Sequence, residues 1–366
     1  MAGHCCLGTI CRAGFLLLSK MDNFAATKKQ AILSIPMKFS IIIPVYNRPN
    51  EVHELLESLS MQTLKDFEVL IIEDGSTVRC DEVAARYKDK IDVRYYFKPN
   101  SGRSLTRNYG MERAAGDYLV FFDSDCVIPP HYFETLTREL QSDYADCYGG
   151  PDKAHESFST LQKAISHSMT SFITTGGIRG GRRVLDHYTP RTFNMGMSMQ
   201  AYGKVGDFKD MFGEDIDLSL RIQAAGYRTR LIRDAYVYHK RRVSLKSFFR
   251  QVNVFGRARI DLQIAHPGSL KLVHTLPAMF VIGVIALLVG SLFCLWSLLP
   301  LAVLLLTLFV EALVVTRSLS IASLSVVTSI IQLWGYGCGF ISAFFKKIVL
   351  GHSDNASELE RLYKKK

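Results

Sequence analysis

Asp123 and Asp125, separated only by Ser124, end the apolar run Gly116-Asp117-Tyr118-Leu119-Val120-Phe121-Phe122. Such a run fits a buried strand, and open α/β sheets bind ligands at the C-terminal ends of their strands. Alternation along a strand would point both carboxylates the same way. Two hard oxygen ligands there suit Mg²⁺ or Mn²⁺ shared with a diphosphate, because the ion keeps part of its shell for substrate oxygens. Taken alone, an Asp-x-Asp is more often a solvated turn, so its meaning depends on its neighbours. Glu73-Asp74-Gly75-Ser76 closes a second apolar run, where a plain turn carboxylate is the competing explanation for Asp74. Gly213-Glu214-Asp215-Ile216-Asp217 opens a helical pattern, and acids in a first turn also suit the helix dipole. His239 follows the short segment Ala235-Tyr236-Val237-Tyr238. A histidine at a strand end is most often a hydrogen-bonded surface residue.

These residues need a scaffold, and the sequence supplies one. Phe39 to Tyr46 is an almost continuous apolar run, as in a strand covered on both faces. Pro49 sets a helix start, after which Val52, Leu55, Leu56 and Leu59 recur at helical spacing. Phe67 to Ile72 and Val93 to Phe97 read as further strands, and a helix through Arg107 and Asn108 leads back to Gly116. The alternation predicts an α/β domain with a mostly parallel sheet. No GxGxxG follows the first strand, which counts against a nicotinamide or flavin. Farther on, Leu218, Leu220, Ile222 and Ala225 continue a helix closed by Gly226.

Beyond residue 275 the composition changes. The chain has 366 residues, 48% of them hydrophobic, and the apolar surplus lies almost entirely in this last part. Leu276 to Trp296 would reach about 31 Å as a helix, against roughly 30 Å of bilayer hydrocarbon. Leu298 to Thr316 follows closely enough to make a hairpin, with Glu311 a charge that must be paired or brought near the surface. Ile321 to Phe345 contains Gln332, Trp334, Gly335, Gly337 and Gly339, which predicts a re-entrant or interfacial segment in place of a simple span. The formal charge of +10 is placed around these segments. Lys240, Arg241, Arg242, Lys246, Arg250, Arg257, Arg259 and Lys271 precede them with Asp261 as the one acid among them, and the tail after Phe345 is basic again. An even number of crossings would put both basic regions on the cytoplasmic side. The first 238 residues are close to neutral, which argues against nucleic acid as a partner.

Three smaller features complete the reading. From Arg242 to Arg257, Leu245, Phe248, Phe249, Val252 and Phe255 share one helical face, the pattern of a helix lying in a membrane interface or packing on the domain. Gly176 to Arg183 is a glycine and arginine loop able to clamp phosphates, or simply a solvated loop. Residues 1–36 lack a proper hydrophobic core and cleavage site for a signal peptide, so translation from Met37 or a dispensable extension is expected. The cysteines form no CxxC or zinc spacing and suit a reduced compartment.

Pro44-Val45-Tyr46-Asn47, Glu73-Asp74-Gly75-Ser76, Arg107-Asn108, Asp123-Ser124-Asp125 and Gly213-Glu214-Asp215 occur in the order seen in family 2 inverting glycosyltransferases. From about Lys38 to His239 the chain resembles that family, whose domain has the GT-A fold. The resemblance implies that Pro44, Tyr46, Asn47, Asp74, Arg107 and Asp123 bind a nucleotide-diphosphate sugar. It also implies that Asp123, Asp125 and His239 hold Mn²⁺ or Mg²⁺, that Asp215 is the general base and that Glu214 positions the acceptor. Arg250-Gln251 lacks the downstream tryptophan of the Gln-x-x-Arg-Trp signature, which counts against a processive polysaccharide synthase. A non-catalytic sugar-nucleotide scaffold would have no need of Asp215.

The expected organisation is therefore an extension over 1–36, a GT-A domain over 37–240 and an amphipathic region over 241–275. An apolar region over 276–345, with segments 276–296, 298–316 and 321–345, and a basic tail over 346–366 would follow. The expected protein works at a membrane, the bacterial inner membrane by family, with its domain in the cytoplasm and a lipid-linked or glycan acceptor.

Overall fold

The structure is a computed structural model that describes residues 37–176 and 188–352. The expectations for residues 1–36, for the arginine-rich loop beyond Gly176 and for Lys364 to Lys366 lie outside the described residues. The α/β part begins with β1 (Phe39–Val45), α1 (Pro49–Ser60), β2 (Phe67–Asp74), α2 (Asp81–Ala85), β3 (Asp92–Lys98), α3 (Arg103–Met111) and β4 (Tyr118–Phe121). It continues with β5 (Cys126–Val127), α4 (Tyr132–Ser142), β6 (Cys147–Gly149), β7 (Asp152–Lys153), α5 (Thr160–Thr170) and α6 (Phe172–Thr175). Then come β8 (Met195–Ser198), α7 (Met199–Val205), α8 (Glu214–Ala224), β9 (Thr229–Leu231) and β10 (Val237–His239).

The large sheet has seven strands in the order β3-β2-β1-β4-β8-β6-β9. β1 pairs in parallel with β2 and β4, and β2 with β3, as the strand and helix alternation predicts. β8 is antiparallel to both β4 and β6. Every residue of β2 is buried, and its central residues Val69 to Ile72 form the unbroken apolar run of a strand covered on both faces. Val52, Leu55, Leu56 and Leu59 form the buried face of α1, so the helical period there reports the core directly.

One expectation about the central strand is corrected. β4 ends at Phe121, so Asp123 and Asp125 sit on the turn that leads to β5 and not on alternating strand positions. A small second sheet, β5-β10-β7, then fixes that turn, with His239 opposite Cys126. The amide of Lys240 donates to the Asp125 carbonyl at 3.1 Å, closing the junction.

Four long helices follow: α9 (Leu245–Ala265), α10 (Leu272–Ser291), α11 (Leu299–Thr316) and α12 (Leu319–Ala343). Three segments, Leu272–Ser291, Leu295–Thr316 and Leu319–Val349, are long and apolar enough to cross a membrane. α10 and α11 meet at the turn Leu295–Leu298 and each packs chiefly along α12. Trp296 belongs to that turn, so the first apolar helix starts and stops earlier than expected. Of the two roles expected for the apolar stripe of α9, a membrane interface or packing on the domain, packing is observed. Phe248 and Val252 are buried with Ile165 and Met169 of α5, and Phe255, Ile331 and Tyr336 pack against them.

α12 is one unbroken helix, contrary to the irregular segment expected from its glycines. The glycines are there for close approach. A Cβ at Gly335 would meet Val252 and Phe249, one at Gly339 would meet the Asn253 carbonyl, and one at Gly337 would meet Pro277 and Val281 of α10. Gly256 of α9 faces the Tyr336 carbonyl in the same way, so small residues on both helices set the α9–α12 crossing.

Candidate active site

Strand ends and helix starts of the domain line one cavity of about 1790 Å³. Pro44, Tyr46 and Asn47 border it where β1 gives way to α1, and Asp74 borders it at the end of β2. Asn47 takes a positive φ of 55° and its Oδ1 accepts the amides of Thr77 and Val78 at 2.8 and 2.9 Å. Its side chain therefore ties the first turn to the loop after β2. Asp74 is almost fully buried and accepts the amides of Ser101 and Gly102 at 2.8 and 3.0 Å, with Lys98 bonded to Oδ1.

Deeper in the cavity, Arg107 bridges two expected site residues. One terminal nitrogen bonds Asp123 Oδ1 at 2.7 Å and the other bonds Glu214 Oε1 at 3.1 Å. Arg103 adds a second guanidinium to Glu214, at 3.0 Å from Oε1 and 3.1 Å from Oε2. Glu214 is 3% exposed and is held by both arginines, so it connects α3 to the start of α8. Asp215 faces the cavity beside it; its Oδ1 accepts the Ile216 amide at 2.8 Å and stands 3.6 Å from Arg191. Asp217, on the inner side of the same helix turn, accepts from His266, Arg221 and Lys209 at 2.7, 2.9 and 3.0 Å.

Asp123, Asp125 and His239 converge. His239 Nε2 lies 3.1 Å from Asp125 Oδ1 and 3.9 Å from Asp123 Oδ2. The His239 ring is stacked on Phe193, with centroids 5.0 Å apart, and Arg48 bonds Asp125 Oδ2 at 2.7 Å. Burial by itself would raise the Asp125 carboxyl, but His239, Arg48 and Arg242 outweigh it and hold the group well below the usual carboxylate range. Ligand atoms of Asp125, Cys126 and His239 all lie within 4.8 Å of one another. Cys126 is a poor third ligand, because burial pushes its thiol well above the usual range and it donates to the Phe193 carbonyl at 3.5 Å. Two carboxylates and an imidazole with Asp123 in its place fit Mn²⁺ or Mg²⁺ better.

Several residues at the site were not singled out from the sequence. Arg48, Arg103, Arg191 and Arg241 line the cavity, and Arg242 was read only as the flank of a helix. Arg241 is buried against Asp152, and burial brings its guanidinium down to about 10. The one local signal was position: Arg48 follows Asn47 directly, and Arg191 precedes the Asn194 to Met199 segment.

Part of the chain is similar to known proteins. Residues 40–205 match the model of glycosyl transferase family 2. A protein of Rickettsia felis described as an uncharacterized glycosyltransferase is 48% identical over 106 residues, which cover 29% of this chain and 17% of that protein. This chain thus spans less than a fifth of that relative's length. The succinoglycan biosynthesis protein ExoA of Rhizobium meliloti is 28% identical over 244 residues, covering 65% of this chain and 73% of that protein. Among solved structures, the mannosyltransferase PcManGT of Pyrobaculum calidifontis, in complex with GDP-Man and Mn²⁺, superposes with a TM-score of 0.54. It is 16% identical, and the match covers 85% of this chain and 94% of that one, a likeness of fold. The chain carries a family 2 glycosyltransferase domain of GT-A fold, followed by three apolar helices.

Proposed function

We propose that the chain is a membrane-bound inverting glycosyltransferase. It would move a sugar from a nucleotide-diphosphate sugar to a hydroxyl of a lipid-linked or glycan acceptor in cell-envelope glycan or glycolipid synthesis. The observation that supports this reading most is that Asp215 and the Asp123, Asp125 and His239 group line one cavity that continues between the apolar helices. The names of the relatives, one a succinoglycan biosynthesis protein and one a mannosyltransferase with GDP-Man and Mn²⁺, agree with a nucleotide-sugar donor.

In this reading the base and ribose sit between the Pro44 to Asn47 turn and Asp74, and the diphosphate lies toward Asp123 and Asp125. Those two carboxylates and His239 would hold Mn²⁺ or Mg²⁺, which when bound supplies positive charge against the leaving diphosphate. Arg48 keeps Asp125 ionised and oriented. Asp215 accepts the proton of the acceptor hydroxyl as its oxygen attacks the anomeric carbon. The bond from that carbon to the diphosphate breaks with its electron pair, and nucleoside diphosphate leaves. A single displacement of this kind inverts the anomeric centre. Glu214 acts through Arg103 and Arg107, holding the floor on which donor and base meet.

The test is a panel of nucleotide-diphosphate sugars offered to the purified full chain with Mn²⁺ or Mg²⁺, read as nucleoside diphosphate release. Metal-dependent release from one donor, absent in Asp125→Ala, is the expected result. Equal release with and without chelator would remove the metal site, and none from any donor with lipid extract present would remove the transferase reading.

A further inference from the structure

α11 carries a single charged residue, Glu311, in an otherwise apolar helix. An acid in such a helix is costly unless the protein answers it with a partner. Here the answer comes from the α/β domain. His167 Nε2 of α5 lies 3.0 Å from Glu311 Oε2, and the Ser171 hydroxyl donates to the same oxygen at 3.1 Å. Both partners are buried. Ser171 has a second task, since its Oγ accepts the Ile173 amide at 3.2 Å and so caps α6. A hydroxyl has a single hydrogen to donate. While Glu311 takes it, the lone pairs of Ser171 stay turned toward the start of α6. Without that acceptor the hydroxyl can turn back on a carbonyl of α5, as Ser168 and Thr170 do on Ile165 and Ser166. α6 has only four residues and cannot hold its shape by itself. It packs chiefly on α5 and α12, and Phe172, Thr174 and Thr175 line the cavity that holds Asp215.

We infer that Glu311 is a positioning residue. Acting through Ser171, it fixes α6 as a wall of the active cavity, and that wall thereby depends on the seated apolar hairpin. A Glu311 that served only to be neutralised could be replaced by leucine with gain to the span and no effect on the cavity. In the positioning role the same replacement loosens α6. The meaning of the cavity rests on the transferase reading, whereas the tie from Glu311 to α6 does not.

The test is amide hydrogen exchange of α6 in the purified full chain in detergent, read by peptide mass spectrometry with α1 as the reference for the fold. Glu311→Leu and Ser171→Ala should each speed exchange in α6 by about fivefold or more, the usual worth of an N-cap, and leave α1 unchanged. Glu311→Gln keeps an oxygen for both bonds and should exchange like wild type. Glu311→Met, nearly as long as glutamate, is run beside Glu311→Leu to separate lost volume from lost hydrogen bonds. Adding Glu311→Leu to Ser171→Ala should change nothing further, because the two act along one route. Exchange like wild type in both apolar variants, or a double variant that adds the full effect of Glu311→Leu, overturns the positioning role. So does faster exchange of α1 in both, which would make Glu311 a residue of general stability. Nucleoside diphosphate release with lipid extract is followed on the same preparations. Turnover should fall in Glu311→Leu and return in Glu311→Gln, with the KM of the donor unchanged. Faster α6 exchange with undiminished turnover also overturns the role. Exchange as described with no release from any donor by wild type would sink the transferase reading alone, and release by wild type with α6 indifferent to Glu311 would sink the positioning role alone.

Discussion

Glu214 and Asp215 are neighbours with unlike surroundings, and the roles proposed for them differ accordingly. Glu214 is enclosed by Arg103 and Arg107, whereas Asp215 faces the cavity. Asp215→Asn is therefore expected to keep donor binding and lower turnover by ~10²–10⁴-fold, the usual worth of a general base. More than a third of wild-type turnover in that variant would place the base elsewhere. Glu214→Gln should instead weaken donor binding and lower the melting temperature together, since it removes the buried carboxylate that Arg103 and Arg107 share. His239→Ala should raise the metal concentration needed for half activity while the melting temperature barely moves; a fall in melting with unchanged metal dependence would make the histidine structural. The acids and His239 were legible in the sequence because each ends an apolar run or opens a helix, where the chain's order alone puts them at a strand terminus. The arginines were not. Arg48, Arg103 and Arg191 meet their carboxylates across 77, 111 and 24 positions of sequence respectively, and no local pattern encodes such a meeting.

Elements are positioned by a few polar anchors, and Asp217 is the most concentrated of them. It is fully buried at the start of α8 and joins that helix to Lys209 and, through His266, to the end of α9. Burial raises its carboxyl, but the hydrogen bonds from His266, Lys209 and Arg221 outweigh this and leave it lowered. A lowered carboxylate contributes stability above its unfolded value of roughly 3.9, and that contribution is lost as pH falls through the folded value. Asp217→Asn should thus lower stability by on the order of 3 kcal/mol at neutral pH. The gap from wild type should narrow in melting scans taken below about pH 4. A constant gap across that range would assign the loss to packing. Midway along α9, Gly256→Ala should cost about 1–3 kcal/mol, because a Cβ there meets the Phe340 amide at 2.8 Å and the helices cannot stay at the same distance. The sequence reading found the apolar stripe of α9 but left open whether lipid or the domain covers it. A stripe records that a face is covered and says nothing about what covers it, and here the cover is α5 and α12.

At the scale of the whole molecule, α12 decides how the chain meets a membrane. Its length and composition allow a crossing, yet one face is pressed along the domain for most of its course. In its first half Thr328 bonds the Ala164 carbonyl of α5, farther on Asn253 of α9 bonds the Gly335 carbonyl, and beyond its end Lys347 pairs with Asp261 of α9. Ties to the domain at three levels predict that this helix keeps its C-terminal end on the domain's side of a bilayer. Glu311 points the same way: near the end of α11 it bonds His167 and Ser171 of the domain at 3.0 and 3.1 Å, so the hairpin has returned to the domain by that residue. The expected topology has two crossings, α10 out and α11 back, with α12 lying against the domain at the membrane surface. That is the even count predicted from the basic residues on either side. Cys294 is exposed at the hairpin turn and supplies a native probe. In sealed vesicles of both orientations, with an impermeant maleimide and peptide mass spectrometry, Cys294 should react only from the side opposite to Lys88→Cys in the domain. His352→Cys, just past α12, should react from the same side as Lys88→Cys. Labelling of His352→Cys from the side of Cys294 would mean three crossings, and the ties of α12 to α5 and α9 would then have to lie within the bilayer.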